Sequence, residues 1–320
     1  MVKNIIAIQE FSDELKKLWD NLNSGDSYSP FLSFNMHHSW FEIFKKESEL
    51  YILNHSDRLL MPLLINNGVA EFTGGMDLFD LHDLIGPKNY RQSILDEILQ
   101  HCFSVKNINE LKIYSVFEDS YFFNKIIKSA KNLSLEIYTT PEDVSPYIEL
   151  PIKWDDYLSN LSKKNRHEVK RKLKKLENFG SVEVVNSNLK NIDENIELFF
   201  SLMSFNKDKK KFLTEERRLF IKKNITDAVQ NNFGSLNFLV INGIKVASSF
   251  YFENSKKISV YNSGYDPDYR ELSVGVLNHI LNIKKSLNHK SEVDFLRGDE
   301  EYKYRIGCKD RILVSISIKS

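Results

Sequence analysis

The sequence predicts an α/β protein of roughly two domains, each built around a mixed sheet. Three observations lead there. The length of 320 residues suits about two domains at about 100 to 200 residues each. Apolar residues recur with a period near 3.6 in some segments and near 2 in others, in alternation along the chain. The charge also divides: 44 basic and 44 acidic side chains sum to zero, yet residues 1–150 carry a net −9 and residues 151–320 a net +9. With 42% hydrophobic and 12% aromatic residues the chain has the composition of a folded soluble protein, and its overall neutrality excludes a globally basic nucleic-acid coat.

In the first half, Leu15, Leu18, Trp19 and Leu22 mark one amphipathic helix, and Trp40, Ile43 and Phe44 a second. Residues 49–54 and 59–65 read as strands, and the Asn66-Asn67-Gly68 turn leads to a third at 69–72. Ile94, Ile98, Leu99 and Cys102 mark another helix, and residues 111–116 another strand. The stretch Thr139–Pro146 is rich in turn formers and is followed by Pro151. It predicts a domain border near 140–152, dividing a domain 1–145 from a domain 146–320.

The second half opens with a long basic helix at about 155–179, stopped by Gly180. A strand at 182–185 follows, then helices at 192–203 and 214–230. Three strands form a meander at 236–241, 245–252 and 258–261, turning at Asn242-Gly243. A helix at 274–287, a strand at 293–296, a short helix and a strand at 312–318 complete the order.

Four stretches carry a resemblance: Leu161–Gly180, Leu239–Phe250, Tyr261–Leu277 and Asp294–Gly307. With the element order β, α, α, β, β, β, α, β, short α, β, they resemble the BioF2-like acetyltransferase domain (CelD/BcsL-type) of the Gcn5-related N-acyltransferase (GNAT) superfamily. That group is similar to the Fem-type transferases, which carry two GNAT-like domains in tandem. The resemblance covers about 155–307, and the first half fits a divergent N-terminal domain more loosely. It implies a GNAT-like fold in tandem and an acyltransferase using acetyl-CoA or another acyl-CoA as co-substrate. The acceptor it implies is a small-molecule amine, such as an amino-sugar nucleotide of a cell-envelope or polysaccharide pathway. In Fem-type relatives the donor is instead an aminoacyl-tRNA, which gives a second reading. A non-catalytic module that binds nucleotide-sugars or nucleic acid is a third.

Ordinary GNAT enzymes hold the CoA pyrophosphate in a Gln/Arg-x-x-Gly-x-Gly/Ala loop, and Arg270–Gly275 stands there with Ser273 at the first glycine. A pyrophosphate suits free N–H groups at a helix N-terminus. Ser273 is then the expected N-cap, with Arg270, Val274 and Gly275 around the donor; the same residues also read as an ordinary capped helix. Between 163 and 175 eight cations face one acid, Glu168. That run reads as a solvated face, or as a surface from which Arg166 and Arg171 reach donor phosphates.

Amide formation from a thioester needs a proton acceptor for the amine, a cation or donor for the oxyanion and a proton for the thiolate. Asp299, Glu300 and Glu301 lie beside Lys303 and Arg305, and Tyr265 is the candidate proton donor; the resemblance places a lysine of Fem-type relatives on Lys303 or Arg305. An acceptor cleft is expected between the oppositely charged halves. Asp77, Asp80 and Asp83 read as solvated loop acids or as partners of a sugar amine. Cys102, Cys308, His37, His38 and His82 lack metal-ligand spacing, so no metal is expected. The P-loop, dinucleotide and nucleophile-elbow patterns are absent. Residues 1–10 lack the apolar core of a signal peptide and the longest aliphatic run, 59–65, is too short for a membrane helix, so the expected location is cytoplasmic.

Overall fold

A computed structural model describes residues 4–25, 28–106 and 108–320, so Met1, Val2 and Lys3 of the opening stretch lie outside the described residues. The chain divides into two compact units. Unit 1 runs to Val144 and takes back Arg311–Ser320, and unit 2 is Ser145–Asp310.

Unit 1 contains β1 (Ile5–Ile8), α1 (Asp13–Leu22), α2 (Phe34–Phe44), β2 (Glu49–His55), β3 (Leu59–Asn66) and β4 (Val69–Phe72). After these come α3 (Gly75–Leu78), α4 (Gln92–Gln100), β5 (Glu110–Phe117), α5 (Tyr121–Asn132) and the start of β6 (Glu136–Glu149). The Asn67-Gly68 turn has φ of 50° and 77° at its two central residues, as the tight hairpin joining β3 to β4 requires. β1 to β4 are antiparallel neighbours, and β5 lies parallel to β4. The run Leu59–Ile65 is apolar throughout because both faces of β3 are covered. Leu59, Met61, Leu63 and Ile65 join one core with α4 and α5, while Leu60 and Leu64 join another with Leu15 and Trp19 of α1. Trp19 is fully buried and its indole donates to Leu32 O at 2.7 Å.

Unit 2 begins within β6 and holds α6 (Trp154–Asn160), α7 (Lys163–Phe179), β7 (Val182–Asn186), α8 (Ile192–Ser204), α9 (Lys207–Phe212) and α10 (Glu215–Gln230). There follow β8 (Gly234–Ile241), β9 (Ile244–Glu253), β10 (Lys257–Tyr265), α11 (Val274–Ser286), β11 (Glu292–Asp294) and α12 (Glu301–Arg305). Its strands lie in the order β6-β11-β10-β9-β8-β7. All contacts are antiparallel except β10 with β11, which is parallel. The last strand, β12 (Lys309–Lys319), pairs antiparallel with β5.

Four details differ from the sequence expectation. The basic helix is two helices, because the Ser162 hydroxyl accepts from Asn165 N and starts α7 afresh. The turn-rich stretch Thr139–Pro146 is extended and belongs to β6. Its prolines tolerate a strand wherever no ladder N–H is needed, and Pro146 offers its carbonyl to Phe295 N. A short helix, α9, follows α8 where none was expected, capped by the Asn206 side chain. The final strand, expected in the second domain, belongs from Arg311 to Ser320 to unit 1, where Leu313, Val314, Ile316 and Ile318 are buried.

Among the described residues no helix is long and apolar enough to cross a membrane. Asp83 is half-buried rather than solvated. Burial pushes its carboxyl up, against the pull of Lys88 at 2.8 Å and the Leu84 N–H. His37 is also buried, with Nε2 3.0 Å from Phe31 O and Nδ1 on the Thr73 hydroxyl. Burial, helped by His82, takes its imidazole down to about 3. Folded His37 is therefore neutral where the unfolded residue, near 6.5, takes up a proton. Its contribution is present above pH 6.5 and declines as pH falls toward 3, by about 1.4 kcal/mol per pH unit. Urea midpoints measured from pH 7 to pH 4 should fall accordingly, and His37→Gln, which cannot titrate, should fall less steeply.

Candidate active site

β10 and β11 pair through only three residues each: Lys257 with Glu292, Ile258 with Val293, and Ser259 with Asp294. β11 stops there because Asp294 holds the chain in a turn. Its buried carboxylate accepts from Lys257 Nζ at 2.5 Å, Ser145 Oγ at 2.8 Å and Leu296 N at 2.8 Å, and Leu296 takes φ 56°. Burial alone would raise the Asp294 carboxyl, but Lys257 and these hydrogen bonds hold it below the ordinary aspartate range. Beyond Ser259, β10 continues on β9 across a register shift between Val260 and Asn262, without β11 alongside.

The opened edge of β10 borders a pocket of about 520 Å³, whose lining residues all lie between Leu202 and Tyr302 in unit 2. Ser263, Gly264 and Tyr265 of β10 form one wall. A Cβ on Gly264 would come within 2.4 Å of Met203 N, so glycine lets β10 press on the end of α8. That approach brings the α8–α9 connection to the pocket. Asn206 Oδ1 accepts from the N–H groups of Asp208 and Lys209, and Lys209 Nζ donates to Ser263 O at 2.6 Å. Gly275, Val276 and His279 come from α11, and a Cβ on Gly275 would sit 2.9 Å from the Tyr265 ring. Glu300 and Tyr302 complete the lining.

Glu300 pairs with Lys303 at 2.8 Å. Lys303 is 2% exposed, and its Nζ also donates to Gly298 O at 2.9 Å and Arg297 O at 3.1 Å. An ammonium has three protons, so Lys303 is fully committed and acts as the clamp of the turn after β11. Burial raises the Glu300 carboxyl, but Lys303 outweighs it and leaves the group below its ordinary value, hence ionised at neutral pH. His279 stacks on Tyr302 with ring centroids 5.6 Å apart. Burial first, then the charges of Lys209 and Lys303, lower it to about 3, so it is a neutral imidazole. Burial pushes the Tyr302 phenol well above its usual value. Lys209 is half-buried as a residue with its ammonium enclosed, and burial lowers it to about 8, with Lys303 adding to the effect and Glu300 opposing it.

Of the residues expected from sequence, Glu300, Tyr265 and Gly275 line this pocket and Lys303 is ion-paired into it. Asp299 is exposed, and Arg305 pairs with Glu301 at 2.5 Å on the outer side of α12. Ser273 stands at the N-cap position of α11 but takes φ 57°, and its side chain makes no cap hydrogen bond. The preceding turn Pro267–Leu272 forces that left-handed entry, so the expected hydroxyl cap is absent. The N–H groups of Val274, Gly275 and Val276, at the start of the helix, have no intrahelical acceptor, and the Ser273 side chain supplies none. Val274 itself is buried and Arg270 exposed. Arg171 is bidentate on Glu168, at 2.8 Å twice, while Arg166 is half-buried on α7. Lys175 donates to Glu271 O at 2.7 Å, which places α7 against the turn that carries Arg270. Lys207, Lys209, His279 and Tyr302 were not singled out from sequence. The cation run after α8 was the one signal pointing to the lysines. Among the described residues no group of three or more His, Cys, Asp or Glu is placed to hold a metal ion.

The arrangement offers an ionised carboxylate, unshared N–H groups and two ammoniums around a half-enclosed space. Its charges carry a stability cost. Folded Lys209 gives up its proton near pH 8 while the unfolded residue keeps it to about 10.5, so stability should rise with pH across that window. Lys209→Met should raise the melting temperature of the ligand-free protein at pH 7, and the gain should shrink above pH 9. Lys303→Met should do the opposite. It strands the carbonyls of Arg297 and Gly298 and should cost about 2–3 kcal/mol by urea unfolding.

Comparison with known proteins bears on this site. Residues 163–304 match the family model described as acetyltransferase (GNAT) domain. No curated protein matches the chain in sequence. A conserved protein of unknown function from Bacteroides thetaiotaomicron VPI-5482 superposes with a TM-score of 0.67 at 13% identity, covering 99% of this chain and 100% of that one. The crystal structure of FemX gives 0.64 at 10% identity, with 97% and 96% covered. L-PGS from Bacillus licheniformis gives 0.61 at 9%, with 96% and 92% covered. Identities this low establish the fold, and the matched segment spans α7 to α12, the elements that build the pocket. The chain shares its fold with FemX, and its residues 163–304 match the acetyltransferase (GNAT) domain.

Proposed function

We propose that the pocket of unit 2 transfers an acyl group, acetyl in the first instance, from acyl-CoA to the amine of a small acceptor. The acceptor class we favour is an amino-sugar nucleotide used for a cell-envelope or polysaccharide product, in a cytoplasmic setting. The observation that carries this reading is the edge of β10, opened beyond Ser259 between the unshared N–H groups of α11 and the Glu300 carboxylate.

In this reading the donor's phosphates lie at the start of α11, near Val274, Gly275 and Arg270, with Arg166 of the adjoining α7 in support. The acyl thioester runs along the open strand toward Glu300. The neutral amine attacks the thioester carbonyl and Glu300 accepts the proton that the nitrogen sheds. The tetrahedral oxyanion collapses, the carbon–sulfur bond breaks, and the thiolate takes a proton from Tyr265 of β10, whose ring packs against Gly275 of α11. Lys303 holds Glu300 in place and keeps it ionised. No step uses a metal ion.

A second reading takes aminoacyl-tRNA as donor, and the exposed lysines of α7, Lys163, Lys164, Lys170 and Lys174, favour it. Thermal-shift titration separates the two: stabilisation by acetyl-CoA and not by charged tRNA supports the first, and the reverse overturns it. Mass spectrometry of acetyl-CoA incubated with a panel of amino-sugar nucleotides reads the transfer directly. Glu300→Gln should lower turnover by about 100-fold or more, while Asp299→Asn, exposed and away from the lining, should change it by less than about threefold. Full turnover in Glu300→Gln sinks the assignment of Glu300.

A further inference from the structure

The charges lining the pocket do not balance. Lys207, Lys209 and Glu300 are its charged lining residues, and Glu300 is already matched by Lys303. His279 is buried as a neutral ring and adds nothing. Among the described residues neither the exposed Lys207 nor the half-buried Lys209 has a carboxylate at ion-pair distance. Lys209 is the telling one. Among the described residues its Nζ has a single hydrogen bond, to the carbonyl of Ser263, although an ammonium offers three protons. An enclosed cation so poorly matched is costly, and an apolar side chain of the same length would fold better in its place. Its anchoring is nevertheless specific: Asn206 caps the turn that carries it, and Gly264 lets that turn close on β10.

We propose that the acceptor bears an anionic group, a phosphate or a carboxylate, beside its amine, and that Lys209 and Lys207 seat that group. The inference rests on the acyl-transfer reading of the pocket and assigns the seat of the acceptor's anionic group to two lysines of the lining. Neutral amines lack the group that the two ammoniums would meet. The anion also fills the two unused donors of Lys209 and restores its full charge, which burial and Lys303 now work against and Glu300 favours.

The test compares glucosamine, glucosamine 6-phosphate and glutamate as acceptors for acetyl-CoA in wild type, Lys209→Met and Lys211→Met. Lys211 is exposed on α9 and does not line the pocket. Wild type should prefer an anionic acceptor, and Lys209→Met should raise the KM for it by about tenfold or more. Lys211→Met should leave it within about twofold. The phosphate and carboxylate arms identify which anion is read. An equal KM increase for glucosamine, or a shift confined to the KM of acetyl-CoA, overturns the proposal while leaving acyl transfer intact. If neither these acceptors nor the panel of amino-sugar nucleotides is acylated, the transfer reading fails and binding decides the anion site. Calorimetric titration of the full chain with glucosamine 6-phosphate should then show an affinity that Lys209→Met lowers about tenfold, and that weakens from pH 7 to pH 9 as Lys209 deprotonates. Equal affinity in both proteins, or no binding to wild type, overturns the proposal.

Discussion

Much of unit 2 follows from one constraint: β10 and β11 stay together for only three residues. Parallel strands that separate leave backbone edges needing other partners. Here the separation is enforced by the pair of half-buried Lys257 with buried Asp294, which ends β11, and by Lys303, which ties down the turn that follows. The edge so exposed is answered in part by Lys209 on Ser263, and the remainder borders the pocket. An ion pair on a buried carboxylate contributes more to defining where a strand stops than to overall stability.

The fold was legible where local patterns and final structure agree. Period-two alternation placed β5, and the Asn-Gly turns at 67–68 and 242–243 placed two hairpins, since left-handed backbone at both positions suits those residues. The order of elements in the second half, with its motifs, pointed to the GNAT fold that the comparisons bear out. Legibility failed where tertiary contacts overrule local chemistry. Thr139–Pro146 has the composition of a turn yet is extended, because Ser145 and Pro146 meet Asp294 and Phe295 across the sheet. Ser273 has the side chain of a cap but arrives left-handed from the preceding turn.

The site was less legible for the same reason. Asp299, Glu300 and Glu301 are consecutive, and nothing in their identity says that only Glu300 faces the pocket; the direction of α12 decides it. Lys209 sits in a run of lysines that reads as solvent-facing. It becomes a pocket residue through the absence of a side chain at Gly264, 55 residues away in sequence. Distance in sequence hides such a dependence. The two lysines differ in what they ask of the fold. Lys303 has every proton matched, whereas Lys209 is held with capacity to spare.

The return of β12 to β5 also orders events during synthesis. Everything between Ser145 and Asp310 emerges from the ribosome before the strand that completes the first sheet. Unit 2 has all its strands at a time when β5 still lacks β12 as a neighbour. An open strand edge beside an apolar core is the kind of surface that chains use to pair wrongly with one another. The N-terminal unit therefore finishes last, and the interval during which β5 waits is set by the time needed to translate an entire second domain.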